Sequence, residues 1–230
     1  MYSIGIDIGG TNLPVGIVDL DTNTILSKRS TPFVKGMSPQ EAMDRLAALA
    51  KEQMEELGIA PSQIAFAGMG VPAVLLPDEG YVVKANNLDW QDVKITELLE
   101  ARLGCRVYLE NDANAAAWGE YKAGACEGSK NAVVLTLGTG LGGGVIMDDK
   151  IIWGAYFNGG ELGHMIAEMD GIPCTCGNRG CFERYTSATA LIYFGKEAVA
   201  KGEKTSLFDA CEGDPQKITA KMVIDAAKEG

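Results

Sequence analysis

One arrangement occurs twice in this 230-residue chain, and it restricts the fold more than any bulk property does. Around Asp7-Ile8-Gly9-Gly10-Thr11-Asn12, residues 4–26 read as strand, Gly/Thr turn, strand, acidic turn, strand. Around Leu137-Gly138-Thr139-Gly140-Leu141-Gly142-Gly143-Gly144, residues 133–152 repeat that plan, with Asp148-Asp149 as the acidic turn. Self-similarity of this kind implies one supersecondary unit used twice. Between the copies the spacing predicts a helix with Ser38 as N-cap, Pro39 at its first position and Glu41 closing a capping box. Its apolar residues are Met43, Leu46, Ala50, Met54 and Leu57, and Gly58 stops it. A buried strand at 64–71, a short helix before Gly104, a strand at 106–109 and an alanine-rich helix from Asp112 to Ala123 follow. After residue 184 the apolar spacing is helical at 187–200 and 219–228.

The expectation is an α/β protein of two duplicated domains, residues 1–120 and 121–230, with a cleft between them and no low-complexity linker. The chain stops inside a helical pattern, so the second domain, which carries the cysteine-rich loop, is expected to be incomplete. Pro14 falls within the second strand, where its missing ladder donor predicts an edge position or a bulge.

Charge and cysteine usage narrow the partners. With 20 Lys+Arg against 31 Asp+Glu the net charge is −11, which repels phosphate backbones, and no basic stripe overrides it. Nucleic acid is therefore not an expected partner. No apolar run reaches the ~20 residues of a membrane span. The first residues enter a strand without a signal-peptide pattern, and Cys105, Cys126 and Cys211 sit at unrelated spacings as ordinary buried thiols. A cytoplasmic location is expected.

His164 is the only histidine, and Cys174, Cys176 and Cys181 follow it. Three thiolates and an imidazole make a closed tetrahedral set for Zn²⁺, with glycines that let the backbone wrap one ion. Disulfides would need an oxidising compartment. Because all four ligands come from the protein, no open position remains to activate a water, so the zinc is expected to be structural.

Glycines let backbone N–H groups approach an anion, and threonine adds a hydroxyl donor. Gly9, Gly10, Thr11 and Asn12 in one copy and Gly138, Thr139 and Gly140 in the other are thus candidate phosphate cradles for a nucleotide, although either turn alone reads equally as a tight hairpin. Gly138, Gly140 and Gly143 satisfy G-x-G-x-x-G, but residues 145–153 read as a hairpin and not as the helix that a dinucleotide fold requires. Asp7 can hold Mg²⁺ through water or merely cap a turn. Asp112 can be a helix N-cap, a proton acceptor in phosphoryl transfer, or both. Glu161, His164 and Glu183 are suited to gripping several hydroxyls, and Asn111 adds a donor and an acceptor.

The segments Asp7–Asn12, Glu110-Asn111-Asp112-Ala113-Asn114-Ala115, Leu137–Gly144, Gly160-Glu161-Leu162-Gly163-His164 and Cys174–Glu183 together resemble the ROK family of bacterial sugar kinases, particularly its glucokinases. The resemblance runs in family order along essentially the whole chain. It implies an actin-like ATPase fold of two ribonuclease-H-like domains, ATP with Mg²⁺, and transfer of the γ-phosphate to the 6-hydroxyl of a hexose. It further implies Asp112 as the catalytic base and Asn111, Glu161, His164 and Glu183 as sugar ligands, with His164 binding zinc through one ring nitrogen and facing sugar with the other. Family kinases are usually longer and lean towards homodimers. The leading expectation is a glucokinase-like enzyme of carbohydrate metabolism and glycolysis. The alternatives are a sugar-binding protein without transfer activity, and a kinase for N-acetylglucosamine, N-acetylmannosamine or another hexose.

Overall fold

The computed structural model describes residues 1–229. Alternation of apolar residues makes the first copy a meander: β1 (Tyr2–Asp7), β2 (Asn12–Asp19) and β3 (Thr24–Pro32). The antiparallel registers pair Ile6 with Val15 and Asn12 with Pro32, which turns Ile4, Ile6, Leu13, Val15 and Ile17 into the core. Helix α1 (Pro39–Glu56) starts where its caps predict, Ser38 Oγ accepting the Glu41 N–H at 3.2 Å. It buries Ala42, Met43, Leu46, Ala47, Ala50 and Met54, while Leu57, read from sequence as part of that face, is 39% exposed just past its end.

Strand β4 (Ile64–Val71) returns parallel to β1. A second small sheet follows, β5 (Val74–Leu76), β6 (Tyr81–Ala85) and β7 (Trp90–Lys94), in a stretch that carried no sequence assignment. Then come α2 (Ile95–Leu103), β8 (Val107–Asn111) parallel to β4, and α3 (Asp112–Ala123). The main sheet runs β3-β2-β1-β4-β8, so β2 is interior. Pro14 is nevertheless compatible with it: it pairs with Ser30 on β3 and lies beyond Val15, where the β1 ladder ends. The strand expected at an edge is internal, and only its first three residues, Asn12 to Pro14, have no partner on β1.

The second copy gives β9 (Ala132–Leu137), β10 (Leu141–Met147) and β11 (Lys150–Ile151), in the order β11-β10-β9 that mirrors β3-β2-β1. A strand, not a helix, follows Gly140, which removes the dinucleotide reading. Asp148 and Asp149 both take positive φ, 48° and 63°, as a two-residue hairpin with right-handed strand twist requires. The remaining helices are α4 (Glu183–Thr186), α5 (Ala188–Ala200), α6 (Leu207–Ala210) and α7 (Ala220–Glu229). Ser187 caps α5, its Oγ accepting the Ala190 N–H at 3.1 Å.

Two compact units result. One comprises residues 1–133 with 144–160, and the other 134–143 with 161–230. The first is built on the five-stranded sheet and α1. The second has a small core of Val199, Leu207, Cys211 and Ile218 between its helices, where Gly195 lets α5 approach Val223 more closely than a side chain would. Of the thiols outside the cysteine loop only Cys211 is buried, whereas Cys105 and Cys126 are half-buried. No helix among the described residues is long and apolar enough to cross a membrane.

Candidate functional site

In the first unit the parallel strands β1, β4 and β8 deliver their carboxyl ends side by side. The register pairs Asp7 with Gly70, and Gly70 with Glu110. Open α/β sheets bind ligands at such ends, because strands stop there and helix N-termini begin. Asp7 closes β1, and Asp112 opens α3 directly after β8. Gly70 lets the helix start come this near: a Cβ there would sit 3.3 Å from Asp112 Cα and 3.5 Å from the Ala115 methyl.

Both carboxyl groups are held above their ordinary range. For Asp112 the cause is burial, partly offset by the N–H groups of Ala113 and of Asp112 itself. For Asp7 it is burial first and the Asp112 charge second, with Lys28 pulling the other way. Two carboxylates that are both costly to ionise, one of them raising the cost for the other, make a site suited to a cation or a transferred proton.

The cap of α3 is not Asp112. Asn111 takes that position, its Oδ1 accepting the N–H groups of Ala113 at 2.9 Å and Asn114 at 3.2 Å. The acceptor that sequence reasoning offered to a ligand is therefore spent on the helix, and the Nδ2 donor remains. The turn at Gly9 is tight, with its N–H on the Asn12 carbonyl at 3.1 Å, while the Thr11 carbonyl accepts from Phe33 at 2.9 Å. Thr11 and Asn12 are exposed.

In the second unit His164, Cys174, Cys176 and Cys181 place one ligand atom each within 4.8 Å of the others. The Cys176 and Cys181 sulfurs are 3.6 Å apart, and Cys174 Sγ lies 3.8 Å from His164 Nδ1. A tetrahedral ion with bonds of about 2.3 Å needs ligand separations of about 3.8 Å, so the donor set fits zinc. Burial pushes the Cys181 thiol up to about 12, while the Asn178 backbone N–H draws Cys176 down. The other imidazole nitrogen, Nε2, faces Glu161 Oε2 at 3.9 Å.

Glu183, two residues after Cys181, has one oxygen on the Leu141 N–H at 2.9 Å. The same residue is pressed from the other side, since a Cβ on Gly163 would lie 2.1 Å from the Leu141 carbonyl oxygen. The glycine turn itself closes by Gly138 N–H to the Gly140 carbonyl at 3.0 Å, and α5 donates its Ala188 N–H to Gly138 at 3.0 Å. The structure thus gathers Asp7, Gly9 to Asn12, Asn111 and Asp112 in one unit, and Gly138 to Gly140, Glu161, His164, Glu183 and the three cysteines in the other.

Sequence reasoning missed the supports. Glu110 binds the Asn111 N–H at 2.8 Å, Asn114 Nδ2 at 3.2 Å and Trp153 Nε1 at 2.6 Å. Trp153 lies 43 residues away, and nothing local announces the contact.

The family model described as "ROK family" matches residues 3–230. The chain is 38% identical over 230 residues to a glucokinase of Streptomyces coelicolor, covering 99% of this chain and 70% of that one. It is 31% identical to a xylose repressor of Caldicellulosiruptor bescii, covering 99% of this chain and 56% of the repressor. Among solved structures, a ROK family glucokinase from Streptomyces griseus in complex with glucose and AMPPNP superposes with a TM-score of 0.78 at 35% identity, covering 100% of this chain and 72% of that one.

Proposed function

Because the chain belongs to the ROK family and has the α/β, actin-like ATPase fold of its glucokinases, we propose that it is a sugar kinase that transfers the γ-phosphate of ATP to the 6-hydroxyl of a hexose, glucose in the first place. The observation that carries this reading is the Asp7–Asp112 pair at the carboxyl ends of three parallel strands. Asp112 takes the proton of the 6-hydroxyl as that oxygen bonds to phosphorus, the bond to the bridging oxygen breaks, and ADP leaves. Its raised pKa makes it a better base than an ordinary aspartate. Asp7 would hold Mg²⁺, which would supply charge neutralisation at the transferred phosphate.

Gly9 to Asn12 and Gly138 to Gly140 are the phosphate turns, supported by their tight closure and by the lack of room for a side chain at Gly9 and Gly140. Asn111, Glu161, His164 and Glu183 are the sugar ligands. Asn111 offers Nδ2, Glu183 its second oxygen, and His164 its Nε2 face, while Nδ1 faces the thiols. The His164, Cys174, Cys176 and Cys181 set holds a structural Zn²⁺, supported by separations that match a tetrahedral ion. The duplicated halves, residues 1–120 and 121–230, correspond to the two family domains. A reducing, cytoplasmic setting suits thiolates kept for a metal.

The test is ADP release with Mg²⁺-ATP against a panel of hexoses, comparing the parent with Asp112→Asn. Removal of a general base should lower kcat by about 10²- to 10⁴-fold, and full turnover in the variant would remove Asp112 from its role. A second reading, a sugar-binding protein without transfer activity, is favoured by the xylose repressor among the relatives. Calorimetry that finds sugar binding with no ADP release for any hexose would select it.

A further inference from the structure

We propose that Trp153 is a positioning residue for the Asn111–Asp112 turn, acting through the Glu110 carboxylate. The proposal rests on the kinase reading for its kinetic consequence and on hydrogen bonding alone for its structural one. Glu110, the next-to-last residue of β8, turns its carboxylate onto the start of the helix that follows, α3. One oxygen takes the Asn111 N–H and Asn114 Nδ2, and the other takes the indole N–H of Trp153 at 2.6 Å, the short distance of a charge-assisted bond.

Asn114 depends on this carboxylate completely. It is 3% exposed, and its Oδ1 has no hydrogen-bond partner among the described residues. That oxygen lies where Gly144 lacks a side chain, 3.3 Å from an added Cβ. Among the described residues, donation to Glu110 is thus the one polar contact that sets the amide, because the reverse orientation would put oxygen against oxygen. Asn111 is tied twice, by its N–H to Glu110 and by its Oδ1 to the first turn of α3. Whatever fixes the Glu110 carboxylate therefore fixes the direction in which α3 starts, and with it the Asp112 side chain.

Trp153 is 45% exposed, so burial does not account for its placement. It stands just past β11, and Tyr121 in α3 reaches the same hairpin through a hydrogen bond to Asp149. The hairpin accordingly holds α3 directly at Tyr121 and, through Glu110 at the end of β8, at its first turn, and the Trp153 contact is the one next to the chemistry. Indole is a donor only, matched to an acceptor-only carboxylate.

Trp153→Phe keeps an aromatic ring and deletes the donor. The expected result is amide hydrogen exchange at residues 111–114 faster by about tenfold or more, with exchange in α1 unchanged. In the turnover assay kcat should fall about tenfold to a hundredfold, the scale of a lost hydrogen bond to a charged group, with KM for ATP little changed. Glu110→Gln should reproduce the loss, and the double variant should add little to either single one. A purely structural role would lower Tm and leave kcat alone. Parent-like exchange and parent-like kcat in Trp153→Phe would overturn the proposal. If the parent shows no sugar-dependent turnover the kinase reading fails separately, and exchange at 111–114 alone decides whether Trp153 positions the turn. Should Trp153→Phe fail to fold, Glu110→Gln carries the same comparison.

Discussion

At the scale of single residues, Asp112 is asked to be two things at once. It sits in the first turn of a helix, where the exposed N–H groups favour negative charge, and in a buried position that disfavours it. Burial wins, so the carboxyl titrates above the ordinary aspartate range. In the fold an acid with a raised pKa is penalised when ionised, and the penalty disappears as pH falls below its unfolded pKa. Asp112→Asn should therefore raise Tm at pH 7, with the gain shrinking as the pH approaches 4; differential scanning calorimetry across that range checks both the sign and the trend. The parent's kcat/KM should show an acidic limb with a midpoint above the ordinary aspartate value, as a base with a raised pKa requires. In Asp112→Asn the Asp7 carboxyl, relieved of a neighbouring charge, should titrate lower, which carboxyl-carbon NMR can follow. These two aspartates were visible in the sequence because each ends a recognisable strand-and-turn motif. The exchange of cap between Asn111 and Asp112 was not, since both residue types cap well and the choice depends on β8 running as far as Asn111.

At the scale of elements, the metal loop and the second glycine turn are not separate pieces. Leu141 is gripped at its N–H by Glu183 and crowded at its carbonyl by Gly163, and these residues neighbour Cys181 and His164. If the loop carries the proposed zinc, stripping it with a chelator should therefore loosen residues 138–143 as well as the cysteine loop itself. The checks are faster amide exchange in that turn and weaker binding of a non-hydrolysable ATP analogue, both restored by added Zn²⁺. Gly163→Ala should do likewise without a chelator, because the added methyl cannot fit 2.1 Å from a carbonyl oxygen; a cost of about 1–3 kcal/mol in denaturant unfolding is expected. The cluster of His164, Cys174, Cys176 and Cys181 was legible because the four fall within one short stretch of chain. The Leu141–Glu183 contact spans 42 residues and was not. The β5-β6-β7 sheet escaped for a different reason. Its strands have three, five and five residues, too few for period-2 alternation to register, and Asp89 and Asp92 adopt positive φ where no glycine signals a turn. Helix α1, with eighteen residues and Ser38 as its N-cap, was readable to within a residue, although the Glu41 side chain pairs with Arg45 and does not close the expected capping box.

At the scale of the whole chain, a net charge of −11 and a pI near 4.6 set its behaviour among other macromolecules. Binding to an anion-exchange matrix at neutral pH and no retention on heparin are expected. The sheet that ends with β9 presents Val133, Leu135 and Leu137, exposed by 63%, 44% and 69%, along one face of an edge strand. Such an edge is a template for pairing between copies. Sedimentation velocity should show concentration-dependent association, and Val133→Lys combined with Leu135→Lys should reduce it; an unchanged profile in the double variant would place any self-association elsewhere. The duplicated architecture was the most legible feature of all, because repetition needs no knowledge of packing to be seen. Its asymmetry was not. The two copies of one plan have third strands of nine residues and of two. The later copy keeps only a two-residue third strand. Freed from the ladder after Ile152, the chain can swing its next residue away from the sheet, and that residue is Trp153. A shortened repeat, which looks like decay in an alignment of the two halves, is thus what released a side chain to brace a helix that the first half had already built.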